Sequence, residues 1–134
     1  MPRHHENVRE LIERLINADV EFVVCGGVAA RAHGLRKQIN DLDVIYRRSA
    51  TNYRRLAEAL RPLNPRPRGL PPDVEVQLTA AVLRDGYSFL LSTSLGDLDL
   101  IAELTDIGLY PAASRRATRI NALGIECDCL ELDA

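Results

Sequence analysis

No apolar run in this 134-residue sequence approaches the ~20 residues that a membrane-crossing helix requires. Its longest stretches, such as Val23-Val24-Cys25 and Ser88-Phe89-Leu90-Leu91, are a fraction of that. The N-terminus is polar where a secretion signal would be apolar, so the chain is expected in the cytoplasm, with no membrane partner. Cysteine is scarce as well. Cys25, Cys127 and Cys129 make an odd number, and no Cys-x2-Cys spacing of a zinc or redox site occurs, so reduced and mostly buried thiols are expected. Cys127 and Cys129 share one strand face as half a metal site at best. His33 is the only imidazole apart from His4 and His5, which are expected to be disordered near the terminus. An excess of positive charge is also missing: 17 basic against 19 acidic residues give a net charge of −2, which excludes a broad nucleic-acid binder and leaves only a local patch for such a partner. No internal repeat is present.

What remains is the composition of one folded unit. The length matches roughly one domain of ~150 residues, here 1–134. The content of 46% hydrophobic and 27% charged residues excludes a disordered chain and a small disulfide-stapled scaffold.

Val8, Leu11, Ile12, Leu15 and Ile16 recur at helical spacing and predict an amphipathic helix over about 6–18. Residues 21–25 predict a strand ended by Gly26-Gly27, followed by a short helix from Val28 to His33 closed by Gly34. Residues 41–46 alternate and then turn apolar, which predicts a strand with Asp41 and Asp43 on one face. A helix over 52–60 ends at Pro62. Residues 62–72 hold five prolines and read as a surface loop. Beyond them come a short helix near 73–83, a hairpin of 87–93 and 95–104 turning at Ser94, a small helix over 111–117, and a last strand pair, 119–121 and 125–130, around Gly124.

The chemically informative feature is a conjunction. A strand ends in Gly26-Gly27; thirteen residues intervene before Asp41-Leu42-Asp43 heads the next strand, and Asp97-Leu98-Asp99 heads another. Each piece alone has a plainer meaning, since a glycine pair after a strand makes a turn and a lone Asp-x-Asp makes a solvated strand end. Together they describe a site. Glycines let backbone approach a triphosphate, with the amides opening the next helix turned toward phosphate oxygens. Carboxylates at i and i+2 stand roughly 7 Å apart on one strand face, able to flank two ions about 3.5–4 Å from each other. Metal-free, such carboxylates repel and at least one pKa must rise. Hard oxygen ligands with open positions for phosphate suit Mg²⁺, whereas zinc wants His or Cys.

Gly26-Gly27, the helix ending at His33-Gly34, and Asp41-Leu42-Asp43 resemble the signature of the DNA polymerase beta-like nucleotidyltransferase superfamily. The likeness, spanning roughly residues 8–130, is to the small bacterial group related to abortive-infection and toxin nucleotidyltransferases. The resemblance implies an α/β (α+β) domain: a small mixed sheet with helices mainly on one side and the aspartates converging at one sheet edge. It implies transfer of a nucleoside monophosphate from an NTP to an acceptor hydroxyl, on tRNA, protein or a small molecule, in a toxin-antitoxin or phage-defence setting with an antitoxin or other protein partner. By position it makes Asp41, Asp43 and Asp99 catalytic ligands of two Mg²⁺ ions, with Mn²⁺ as an alternative metal and Asp97 as the fallback for Asp99. It gives the nucleotide phosphates to Gly26, Gly27 and Lys37.

Two positions depart from the family pattern. Lys37 stands where relatives carry an Arg, keeping the charge without the two-pronged grip, and Ile39 replaces a Thr hydroxyl. Relatives also often continue, beyond the position matching Ala134, into a helix with a basic motif. These departures support a rival, a catalytically inactive module of the same fold that binds a partner; plain DNA binding ranks last. His33 reads as a packing or capping residue, and Arg36 with Lys37 as candidate phosphate contacts. Arg47, Arg48, Arg54 and Arg55 form a candidate patch for an acidic acceptor.

Overall fold

Val8, Leu11, Ile12 and Leu15 are buried along one stripe of helix α1 (His4–Asn17), and each adds about 1.5–3 kcal/mol by leaving water. That stripe lies against a mixed sheet. The computed structural model describes residues 4–36 and 38–131, so Lys37 lies outside the described residues. Helix α1 begins at His4 and includes both His4 and His5, earlier than expected.

After α1 come strand β1 (Phe22–Cys25), helix α2 (Gly26–Ala32), strand β2 (Asp41–Tyr46) and helix α3 (Ala50–Leu60). A 3-10 turn over 61–63 leads to the two-residue strand β3 (Arg66–Pro67), then to helix α4 (Ala80–Asp85) and the antiparallel hairpin of β4 (Phe89–Thr93) and β5 (Gly96–Ile101). The short pair β6 (Glu103–Leu104) and β7 (Gly108–Leu109), helix α5 (Tyr110–Arg115), and a hairpin of β8 (Ala117–Ala122) and β9 (Ile125–Leu130) complete the chain. Seven strands form one sheet in the order β3-β4-β5-β2-β1-β9-β8, parallel at β2/β5 and β1/β9 and antiparallel elsewhere. The fold is therefore the mixed α/β class expected. Among the described residues no helix is long and apolar enough to cross a membrane.

Period-two alternation sorts the side chains between the two faces. Leu42, Val44 and Tyr46 of β2 and Leu98 and Leu100 of β5 join the main core with α1, α3 and residues of α2 and α4. On the opposite face Cys25, Ile45 and Ala113 form a small cluster beneath α5. Helices thus lie mainly on one face, and the other stays open next to α5.

Three expectations need correction. The proline-rich segment is not all loop: Arg66 and Pro67 pair with Ser92 and Leu91 of β4, and Pro67 is tolerated because β3 is an edge strand. The helix near 73–83 is only α4, starting where the Thr79 hydroxyl accepts a bond from Val82 N at 3.2 Å. The strand over 95–104 breaks after Ile101, and Glu103 and Leu104 pair with β7 in a separate sheet.

Two polar side chains tie the helical layer down. Asn52, the one buried polar residue among those described, accepts from Glu21 N at 2.8 Å and donates to Glu21 O at 3.0 Å and Arg47 O at 2.8 Å. It so stitches α3 to the chain on either side of the β1/β2 pair. Arg48 donates to the carbonyls of Gly86 at 2.8 Å and Arg84 at 3.1 Å, and its guanidinium lies among the rings of Tyr46, Tyr53 and Tyr87. This closes the carboxyl end of α4 with a cation.

Candidate metal centre

Parallel pairing of β2 with β5 sets Asp41 beside Asp97 and Asp43 beside Asp99. The register is dictated by the neighbours: Leu42, Val44, Leu98 and Leu100 must all face the core, and a slip of one residue would drive carboxylates into it. The two Asp-x-Asp motifs therefore emerge together, at the start of strands three and four of seven. That is the middle of the sheet, not its edge as expected from sequence, because the β4/β5 hairpin adds two further strands beyond β2 along with β3.

One ligand oxygen from each of Asp41, Asp43 and Asp99 lies within 4.8 Å of the others. Among the described residues this is the one group of three or more His, Cys, Asp or Glu side chains that converges so. Asp97 stands aside. Its side chain is 46% exposed against 19% for Asp99, and it accepts from Ser92 Oγ at 3.3 Å.

The electrostatic cost of this arrangement falls on Asp43. Burial, then the charges of Asp41 and Asp99, push its carboxyl up to about 7, with Arg68 pulling the other way. Asp41 is also raised, first by burial and then by Asp99. Cross-strand from Asp43, the Cys25 thiol is pushed up to about 12 by burial and by the Asp43 and Asp99 charges, so it stays neutral. Asp43 Oδ1 is buried without a hydrogen-bond partner.

Gly26 makes room for this carboxylate. At φ +67° it adopts a conformation that L side chains avoid, and a Cβ there would collide with Asp43 Oδ2 and stand 3.1 Å from Cγ. Gly27 differs: a Cβ would meet only Gln38 O at 3.8 Å, an ordinary contact. The first glycine therefore has a structural reason to be glycine that the second lacks.

These features fit a hard divalent cation. The donors are all oxygen, burial and the mutual repulsion of the carboxylates raise Asp41 and Asp43, and an orphaned oxygen sits within the group.

Other sequence candidates fall elsewhere. His33 caps α2 and bonds Leu130 O through Nε2 at 3.0 Å, a packing role. Cys127 and Cys129 are buried with sulfurs 3.8 Å apart, and no third ligand joins them among the described residues. Ile39 is a core residue, 2% exposed. The arginine patch is partly used up internally: Arg47 pairs with Glu21 at 2.8 Å, Arg48 is caged, and Arg55 donates to Asp19 O at 3.0 Å.

The residue that sequence reasoning missed is Arg68. Just beyond β3 it donates to Asp99 Oδ1 through Nη2 and pairs with Asp97 Oδ2 through Nη1 at 3.4 Å. Its position in a proline-rich segment gave no local signal; only the pairing of β3 with β4 delivers it. Comparison of the chain with protein-family models, with curated proteins and with solved structures finds no match.

Proposed function

We propose that the protein is a Mg²⁺-dependent nucleotidyltransferase. The observation that carries this reading is the convergence of Asp41, Asp43 and Asp99 on the open face of the sheet. Two adjacent strands supply the ligands, so their spacing is set by the sheet rather than by a mobile loop. The motif resemblance noted above adds the reaction class.

In this reading Asp41, Asp43 and Asp99 would hold the ions. When bound, Mg²⁺ lowers the pKa of the attacking hydroxyl and neutralises charge on the triphosphate. The acceptor oxygen attacks the α-phosphorus, the bond from that phosphorus to the bridging oxygen breaks, and pyrophosphate leaves with the electron pair. Asp99 takes the hydroxyl proton and passes it to water. Gly26 keeps side-chain bulk away from Asp43, and the turn through Gly27, with Lys37, is assigned to the phosphates. The acceptor is a hydroxyl on RNA, protein or a small molecule, and the resemblance favours a toxin-antitoxin or phage-defence setting.

A second reading has its own observation. Arg68 already pairs with both Asp97 and Asp99, as it would in an inactive module that keeps the fold to bind a partner and has no use for metal.

Incubation with each α-labelled NTP, Mg²⁺ or Mn²⁺, and separate pools of RNA and protein distinguishes the two. The enzyme reading predicts incorporation that falls at least about a hundredfold in Asp41→Asn and Asp43→Asn. Incorporation unchanged in both variants contradicts the metal mechanism, and no incorporation with no metal-dependent NTP binding supports the inactive module.

A further inference from the structure

Arg68 is anchored independently of the acidic group it touches. Its backbone N–H donates to Leu90 O at 2.9 Å and its Nη1 to Leu91 O at 3.2 Å, so the β4 backbone holds both the base and the tip of the side chain. From there the guanidinium reaches two carboxylates of different standing: Asp99, one of the three convergent ligands, and Asp97, which is not.

We infer that Arg68 is the resident counter-ion of the metal-free site, holding Asp99 until a divalent cation displaces it onto Asp97. The inference rests on the metal reading of Asp41, Asp43 and Asp99. A lone pair of Asp99 Oδ1 engaged by the guanidinium is withheld from a cation, and a dication beside that guanidinium repels it. Arg68 thus opposes metal uptake chiefly by its charge, and also by engaging one of the two Asp99 oxygens. Moving it needs no break in the fold, because the backbone bond to Leu90 O is unaffected and the Asp97 carboxylate is already within 3.4 Å. The arrangement gives Asp97 a use that its distance from the cluster otherwise leaves unexplained. Arg68 is in these terms a positioning residue: it acts on metal uptake through Asp99.

A merely structural ion pair predicts the opposite sign, since losing it would loosen Asp99 and weaken metal binding. The test is a titration of Mn²⁺, read as free ion by electron paramagnetic resonance, with no nucleotide and no turnover. The intact protein is compared with Arg68→Gln, Arg68→Lys, Arg66→Gln, Asp99→Asn and the double variant Arg68→Gln/Asp99→Asn. Arg66→Gln makes the same change of net charge at a residue whose guanidinium bonds Pro71 O at 2.8 Å.

Arg68→Gln should bind Mn²⁺ about five-fold more tightly than either the unaltered protein or Arg66→Gln, the upper end for a partly exposed ion pair. Arg68→Lys, keeping charge but losing the two-pronged geometry, should fall between. The double variant should show less gain over Asp99→Asn than Arg68→Gln shows over the unaltered protein. Equal or weaker binding by both Arg68 variants, with the unaltered protein binding normally, overturns the inference and leaves the metal site standing. Absence of Mn²⁺ binding in every protein overturns both.

Discussion

Asp43 concentrates the tension of the molecule in one side chain. A carboxyl whose ordinary value of 3.8 is pushed up to about 7 by burial and by Asp41 and Asp99 holds its proton more firmly in the folded chain than in the unfolded one. Its contribution to stability is therefore complete below pH 3.8 and is lost as pH rises through about 7. Metal-free protein should accordingly melt lower at pH 8 than at pH 5.5, and Asp43→Asn should melt higher than the unaltered protein at pH 8, with a smaller gap at pH 5.5. Adding Mn²⁺ at pH 8 should raise the melting temperature of the unaltered protein and leave that of Asp43→Asn nearly unchanged. Thermal scans at the two pH values check all three; a gap that widens toward low pH contradicts the assignment. At this scale the sequence was informative where chemistry is local. The pairing of Gly26 with a later Asp-x-Asp was visible as spacing, and the clash a Cβ at Gly26 would make with Asp43 supplies its reason. Arg68 was invisible because its partners stand 29 and 31 positions away, across a hairpin whose register no single residue announces.

Among the elements, those with a strong repeating pattern were legible and those made by pairing alone were not. Helix α1, strand β2 and the β8/β9 hairpin follow from their apolar spacing and from turn glycine Gly124 at φ +93°. Strand β3 has two residues and one is proline, so only its partner β4 makes it a strand. Helix α4 is short, and Arg48 crosses from beyond β2 to the carbonyls of Arg84 and Gly86 at its end. Replacing Arg48 by Met keeps the bulk but leaves those carbonyls without a charged donor. The loss should be about 1–3 kcal/mol, with hydrogen exchange rising first in residues 80–87. A substitution that leaves denaturant midpoint and exchange unchanged would show that α4 is held by apolar packing of Leu83 alone. Asn52→Ala should be at least as costly, because it leaves Glu21 N without its acceptor beneath the helical layer.

Across the whole molecule, one sheet serves two purposes on its two faces. The face beneath α1 and α3 is apolar throughout, and its alternation forces every second residue of β2 and β5 outward. The outward residues at the strand starts are the four aspartates, and further along they are Ile45 and Ile101, which α5 and its neighbours cover. The acidic group is thus fixed by the same register that builds the core, which is why both Asp-x-Asp motifs could be read from sequence but their central place in the sheet could not. Strand order depends on long-range pairing: β5 enters beside β2 after an excursion over residues 47–95, and nothing in either strand specifies that neighbour. The role proposed for Asp41, Asp43 and Asp99 is to hold divalent cations for transfer of a nucleoside monophosphate. A crystal grown with Mn²⁺ and a non-hydrolysable NTP tests it most directly, by anomalous scattering at the manganese edge. Two peaks bounded by Asp41, Asp43 and Asp99 are expected, with Arg68 withdrawn from Asp99; an anomalous map without peaks there, and Arg68 still on Asp99, would overturn the metal role.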